Sequence, residues 1–188
     1  MLSSVVAAIF VAIIASLIWA RLRFFRVNTG TAWWMALGYD LAVVIHMALT
    51  VWLFASVTGV ADARLYVAAG LYGASLGLFW WSIATAKSLD FAFSEHVGSI
   101  VTKGPFGLVR HPFYVSYMMA WVGSAWLFNH PVLWLTAGYL GAFYVLSAQK
   151  EERLILKSEQ AERYRCYQQQ VGMFLPRKRK WKQSSSEP

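Results

Sequence analysis

The chain has 188 residues, of which 58% are hydrophobic, 16% are aromatic and only 14% are charged. A soluble domain averages roughly 45–50% apolar and about 25% charged residues, so a soluble fold of this length could not bury so much apolar surface. Disorder is excluded too, because disordered chains are charged and poor in aromatic residues. The net charge of +8 comes from basic clusters beside apolar runs, which is typical of membrane proteins rather than nucleic-acid binders.

The prediction is therefore an all-α integral membrane helical bundle that forms a single domain over residues 1–188. Apolar runs of about 20 residues are long enough to cross a bilayer. They predict five transmembrane helices, at about residues 2–20, 33–56, 65–86, 113–128 and 132–148. Asn129, His130 and Pro131 are all that separates the last two, which predicts an antiparallel hairpin. In the third span, Gly70, Gly73 and Gly77 are spaced to permit close helix approach.

The basic residues predict the orientation in the membrane. With five spans, every Lys and Arg except Arg64 lies on one side, which the positive-inside rule assigns to the cytoplasm. The N-terminus is then outside, and residues 150–188 form a cytoplasmic tail. Apolar positions at helical spacing from Leu154 to Val171 predict one interfacial helix, lying against the bilayer surface or the bundle. The basic run over residues 177–182 is predicted to contact anionic membrane lipids.

Polar residues gather just before the fourth predicted span, over residues 103–114. Gly104 allows a tight turn, Arg110 supplies a fixed positive charge, and His111 supplies an imidazole, the side chain most often used for proton transfer. Pro112 suits the first turn of a helix. The same residues also fit an ordinary turn with basic flanks that leads into a proline-capped helix.

Two adjacent acidic residues, Glu151 and Glu152, follow the fifth span, where positive charge is the rule. They also fit a solvated helix start with surface ion pairs, which contribute little to stability. The hairpin makes the two spans neighbours, so His111 is predicted to lie at the depth of the glutamates, within a side chain or two. A pocket of mixed charge at the cytoplasmic interface would bind a polar, zwitterionic ligand, and a lipophilic partner would enter from the bilayer.

Four short motifs, taken in order, resemble the isoprenylcysteine carboxyl methyltransferase and phospholipid methyltransferase group of integral membrane enzymes. They are Gly104-Pro105-Phe106, Arg110-His111-Pro112-Phe113-Tyr114, Glu151-Glu152, and Tyr164 and Tyr167 followed by Leu175-Pro176. The resemblance covers roughly residues 65–177. It implies methyl transfer from S-adenosylmethionine to a lipophilic or lipid-like acceptor. Isoprenylcysteine-type carboxyl O-methylation is the first expectation, and N-methylation of a phospholipid headgroup or a small molecule is the second.

The resemblance also implies which residues hold the donor. The implied donor-binding residues are Gly104, Arg110, His111, Pro112, Tyr114, Glu151 and Glu152, with Tyr164 and Tyr167 covering the donor from the tail. Arg110, His111 and Glu152 are the candidate catalytic residues. Arg110 would orient an acceptor carboxylate, whereas His111 or a glutamate would take the proton from an amine or hydroxyl acceptor.

Two interpretations outside this group stay open. A membrane reductase with a nicotinamide cofactor would need contacts for a dinucleotide phosphate, for which residues 177–182 are the candidates. A non-catalytic scaffold predicts that substitutions at His111 or Glu152 change no ligand binding and no activity.

Other polar residues carry weaker signals. Asp40 and His46 in the second span share a helix face poorly, which favours interhelical hydrogen bonding over a functional pair. The loop residues Asp90, Glu95 and His96 are predicted to be solvated. Scattered histidines and a single cysteine predict no metal site and no internal disulfide.

Overall fold

The computed structural model describes residues 1–23, 33–86 and 100–177. The elements are α1 (Leu2–Arg23), α2 (Trp33–Ser56), α3 (Asp62–Ala86), a 3-10 helix (Gly104–Gly107), α4 (Pro112–Phe128), α5 (Pro131–Ile155) and α6 (Ala161–Gln170). The predicted all-α class is confirmed. The loop residues Asp90, Glu95 and His96 and the basic residues after position 177 lie outside the described part of the chain.

Within the described residues, four helices are long and apolar enough to cross a membrane: α1, α2, α3 and α5. The fourth predicted span corresponds to α4, which has 17 residues. At a rise of about 1.5 Å per residue α4 is about 25 Å long, shorter than the roughly 30 Å of a hydrocarbon core. By length, therefore, four spans are supported in the part of the chain that the structure describes, and the fifth span, at α4, stays a prediction.

The helices pack in pairs. The closest association is between α3 and α4; α1 packs against α3, and α5 packs against both α2 and α4. Two polar contacts join α3 to α4 inside the core: Ser75 Oγ donates to the Ser116 carbonyl at 2.7 Å, and the hydroxyls of Tyr72 and Ser124 are 2.8 Å apart. Such hydrogen bonds satisfy polar groups where no water is present.

The predicted small-residue contact of the third span is wrong in its location. A Cβ built at Gly70, Gly73 or Gly77 would meet no described atom within 4 Å, so these glycines do not face a packed helix. The close approach occurs instead at Gly123 of α4, where a Cβ would lie 2.8 Å from the ring of Tyr72. Spacing alone did not indicate which face of α3 packs against its neighbour.

Replacing Gly123 with alanine is expected to destabilise the bundle. The added methyl group would overlap the buried Tyr72 ring, and overpacking of this kind costs about 1–3 kcal/mol. Thermal unfolding of the detergent-solubilised protein measures the loss. Gly73→Ala, which adds the same group in open space on α3, is the matched control. An equal loss of stability in both variants would contradict the packing described here.

The predicted hairpin is confirmed. Asn129 adopts a left-handed conformation with φ 50° and ψ 38°, and its amide donates to the Ala125 carbonyl at the end of α4. The His130 side chain then accepts from the Val132 amide at 3.2 Å, which caps the start of α5. Because the connection is so short, α4 and α5 run antiparallel, and the first residues of α4 lie beside the last turns of α5.

The structure corrects the predicted tail helix. α5 continues past the predicted end at residue 148 to Ile155, so both glutamates belong to this helix and not to the tail. A turn then separates α5 from α6, so the predicted continuous helix from Leu154 to Val171 is wrong. In the turn, Ser158 Oγ donates to the Ile155 carbonyl at 2.7 Å and accepts from the Gln160 amide at 3.2 Å. A serine that binds nearby backbone groups in this way competes with helix continuation.

Helix α6 packs back onto the bundle. Its buried tyrosines, Tyr164 and Tyr167, form a small apolar cluster with Ile100 and Val171. Arg177 donates to the carbonyls of Gln168 and Gln169 at 3.1 and 3.0 Å and closes the C-terminal end of the helix. The first residue of the predicted lipid-contacting run is thus engaged with α6.

Candidate functional site

A backbone connection holds the tail beside the start of α4. The amide of Arg110 donates to the Gly172 carbonyl at 2.9 Å, and the amide of His111 donates to the Met173 carbonyl at 3.1 Å. Val109 and Gly172 form a parallel bridge at the same place. These bonds satisfy amides that precede the helix and bring the end of α6 next to the α4 start.

The Arg110 guanidinium is bonded through all three of its nitrogens. Nε and Nη2 donate to the two carboxylate oxygens of Glu152 at 2.8 and 3.2 Å. Nη1 donates to the Val171 carbonyl and, at 3.4 Å, to the Gln168 carbonyl. Both charged side chains are less than 10% exposed. Arg110 therefore joins α4 to α5 and to the tail.

Glu152 is the centre of this network. Besides the Arg110 contacts, its carboxylate accepts from His111 Nε2 at 3.0 Å and from Gln168 Nε2 at 2.7 Å. The Tyr164 hydroxyl of α6 also lies against it. A buried carboxylate is stable when several donors surround it, one of them charged. Glu152 thus holds three segments together: the α4 start, the end of α5, and α6.

Glu151 has a different environment from its neighbour. Its side chain is 37% exposed, and it accepts a hydrogen bond from the Tyr114 hydroxyl. Its other oxygen lies 3.6 Å from His111 Nδ1, beyond ordinary hydrogen-bond distance. Of the two glutamates, Glu151 is the one that a ligand can reach.

The His111 ring lies between the two carboxylates. One ring nitrogen faces Glu152 and the other faces Glu151. The ring stacks on Tyr114, with centroids 5.6 Å apart and planes 11° apart, and Phe174 of the tail contacts it at 5.9 Å. The ring is thus fixed by a hydrogen bond to Glu152 on one side and by aromatic contacts with Tyr114 and Phe174.

Two of the predicted residues hold the adjoining loop. The Tyr167 hydroxyl donates to the Phe106 carbonyl at 2.6 Å, and burial raises the pKa of this phenol, so it remains a donor. Gly104 has φ +58°, and a Cβ there would lie 2.7 Å from the Thr85 hydroxyl at the end of α3. Gly104 therefore lets the loop approach the end of α3.

The structure thus brings together Arg110, His111, Tyr114, Glu151 and Glu152. The hairpin predicted the nearness of His111 to the glutamates, and the resemblance implied the other two residues. Pro112 begins α4 directly after the imidazole. Three contributing residues were missed by the sequence analysis: Gln168, Phe174 and Tyr144. Gln168 lies four residues after Tyr164, on the same face of α6, and that spacing is the signal that could have found it.

Asp40 and His46 do not form a pair. The Asp40 carboxylate accepts hydrogen bonds from Nη1 and Nη2 of Arg21 at 2.7 and 2.8 Å, which joins α1 to α2. The buried His46 lies 2.7 Å from the Thr136 hydroxyl of α5. The interhelical hydrogen bonding predicted for His46 is confirmed.

Comparison with known proteins gives two matches. A family profile described as phospholipid methyltransferase matches residues 63–159, about half of the chain. The methanethiol S-methyltransferase of Pseudomonas deceptionensis is 36% identical over 80 residues, which are 42% of this chain and 29% of that protein. The chain therefore aligns with less than a third of that relative's length. No solved structure matches the chain.

Proposed function

Because the chain belongs to the phospholipid methyltransferase family, we propose that it transfers a methyl group from S-adenosylmethionine to an acceptor at the cytoplasmic face of a membrane. The observation that carries the proposal is the cluster of Arg110, His111, Glu151, Glu152 and Tyr114 at one end of the α4–α5 hairpin. All five residues belong to the motifs on which the resemblance rests.

The donor's groups suit this cluster. S-adenosylmethionine carries an ammonium and a methyl-bearing sulfonium, which supplies the methyl group for in-line displacement. Glu151 has a partly exposed carboxylate that can pair with a positive charge. The stacked rings of His111 and Tyr114 offer aromatic faces, which attract cations. We assign Glu151 to donor binding and Glu152 to holding Arg110 and α6 in position.

The charge of the cluster favours a neutral acceptor. The one guanidinium in the cluster is already neutralised by Glu152, and Glu151 adds a further negative charge. A carboxylate acceptor would be repelled there, because the Arg110 guanidinium is already paired with the Glu152 carboxylate. A neutral nucleophile must lose a proton on methylation, and Glu151 or His111 can accept it.

A small thiol is the acceptor that these observations favour over an isoprenylcysteine. The relative aligned over 80 residues is named for methyl transfer to methanethiol, a neutral and weakly acidic nucleophile. Isoprenylcysteine-type carboxyl methylation is the second candidate, since the motifs of this chain also resemble those of isoprenylcysteine carboxyl methyltransferases. Neither the family match nor the relative favours the reductase interpretation.

Donor binding tests the proposal directly. Calorimetry of the detergent-purified protein is expected to show saturable binding of S-adenosylmethionine and no heat from NADPH. Glu151→Gln is expected to weaken the binding about tenfold, because the loss of one charge-assisted hydrogen bond amounts to about 1.5 kcal/mol.

Glu162→Gln is the matched control. Glu162 is an exposed carboxylate of α6 that pairs with Arg165, away from the cluster, and its neutralisation is expected to leave donor binding unchanged. Binding of NADPH would support the reductase instead. Absence of binding to both compounds by a folded sample would support the scaffold.

A further inference from the structure

A cavity lies at the end of the bundle opposite the charged cluster, where α2 is joined to α3 and α4 ends. Its volume is about 330 Å³, and ligand sites in proteins commonly measure about 300–1,000 Å³. It is lined by residues 57–61, by Arg64 of α3 and by Leu127 and Phe128 of α4. At about 1.5 Å per residue, Leu127 lies about 22 Å along α4 from Pro112. The cavity is therefore separate from the proposed donor site.

The lining of this cavity is mostly apolar and carries one charge. Val57 and Val60 of the loop, with Leu127 and Phe128, contribute hydrocarbon surface. The Phe128 ring is held by an edge-to-face contact with Phe54 of α2, with centroids 4.9 Å apart. A cavity of this composition suits an amphiphile, which has a hydrocarbon part and one anionic group.

The loop leaves the cavity open. Gly59 has φ +74°, a left-handed conformation that favours glycine, and a Cβ there would meet no described atom within 4 Å. Val57 and Thr58 on the same loop are exposed. A ligand can therefore enter between the loop and the end of α4 without displacing a packed side chain.

Arg64 is the cation of the cavity. Its side chain is exposed, and it takes part in none of the ion pairs between residues that the structure describes. It is also the basic residue that the five-span pattern leaves on the side opposite every other Lys and Arg. Asp62, the acidic residue nearest to it in sequence, does not line the cavity. A guanidinium binds phosphate through two parallel hydrogen bonds, so Arg64 is suited to a phosphate from outside the chain.

The cavity lies at the level of the lipid headgroups. Helices α2 and α3 are both long and apolar enough to cross a membrane, and residues 57–61 join them. The joining loop is then at a bilayer surface. The exposed Trp52, in the last turns of α2, is the residue type that prefers this interface. Phosphates of the membrane lipids occur at this depth, and their acyl chains begin directly below.

We propose that this cavity binds one phospholipid of the surrounding membrane, with its phosphodiester on Arg64 and the first part of an acyl chain against Leu127 and Phe128. A soluble anion would gain only the contact with Arg64, and an uncharged lipid only the apolar contacts, whereas a phospholipid gains both. The lipid is a structural ligand that joins the α2–α3 loop to the end of α4. It is not the methyl acceptor, and the inference does not depend on the methyltransferase function.

Hydrogen exchange of the loop amides tests the site at its own location. The detergent-purified, delipidated protein is titrated with dioleoylphosphatidylglycerol, which is expected to protect residues 57–61 in a saturable manner. Arg64→Gln is expected to weaken this protection about tenfold, the effect of losing one charge-assisted hydrogen bond. Arg64→Lys, which keeps the charge, is expected to retain most of it. Arg163→Gln, at an exposed position on α6, is the matched control and is expected to bind as the unaltered protein does.

Two further compounds identify what is bound. Dioleoylglycerol, which lacks the phosphate, and inorganic phosphate, which lacks the acyl chains, are each expected to protect the loop at least tenfold more weakly than the phospholipid.

Three results would overturn the inference. Equal protection of the unaltered protein and Arg64→Gln would show that Arg64 does not hold the phosphate. Equal protection by dioleoylglycerol would show that the cavity takes hydrocarbon regardless of the headgroup. Protection by inorganic phosphate alone would make it a site for a soluble anion. Donor binding is measured separately, so failure of this inference is distinguishable from failure of the proposed function.

Discussion

Replacing Glu152 with alanine is expected to destabilise the protein by about 3–5 kcal/mol, the cost of leaving a buried charge without its partner. The change leaves the Arg110 guanidinium, which is 8% exposed, without its carboxylate partner. It also removes the acceptor of the hydrogen bonds from His111 and Gln168. Chemical denaturation in detergent measures the stability loss. Hydrogen exchange is expected to show α6 opening first, since Glu152 is a main attachment of that helix.

Glu151→Ala serves as the matched control for this experiment. The two glutamates are adjacent on the same helix, but Glu151 is partly exposed and pairs mainly with Tyr114. Its loss is expected to affect donor binding far more than stability. Replacing both partners of the buried pair, as Arg110→Met with Glu152→Leu, is expected to restore part of the stability. Equal stability of the Glu151 and Glu152 variants would disprove the division of roles.

Gly172→Ala is expected to have the second large effect. A Cβ at this position would lie 2.0 Å from the Leu175 carbonyl oxygen, a distance that forces the backbone to move. The same residue accepts from the Arg110 amide and forms the bridge to Val109. Displacing it separates the tail from the α4 start. We expect donor binding to fall at least tenfold, with a stability loss of about 1–3 kcal/mol.

The control for this change is Gly141→Ala on α5, where a Cβ would meet nothing within 4 Å. It is expected to keep full donor binding and unchanged or slightly higher stability, since alanine favours the helix interior. If Gly172→Ala binds donor normally, then the tail does not need its contact with α4 to form the site.

The site was predictable from the sequence to the extent that short connections determine it. The turn at Asn129 leaves α4 and α5 no arrangement other than antiparallel neighbours, so residues near each outer end of the hairpin must meet. The contact of His111 with Glu152 follows from that constraint. Composition alone was sufficient for the all-α class, because so apolar a chain satisfies its backbone within helices.

Contacts between segments distant in sequence were not predictable. The approach of Tyr39 to Tyr144 depends on how α2 is rotated against α5, which a uniformly apolar helix does not reveal. For the same reason, the spacing of Gly70, Gly73 and Gly77 in α3 did not show which helix face packs against a neighbour. The break between α5 and α6 depends on the hydroxyl bonds of Ser158, which a periodic apolar pattern does not register.

The 17-residue length of α4 has a consequence for the surrounding lipid. A helix shorter than the hydrocarbon layer creates a hydrophobic mismatch, and the bilayer responds by thinning around it. α4 begins at Pro112, directly beside His111 and the carboxylates of α5. If α4 crosses the membrane, thinning around it would bring the polar headgroups closer to the charged cluster. A water-soluble donor could then reach these residues from the aqueous phase, and a lipophilic acceptor could reach them from the hydrocarbon layer.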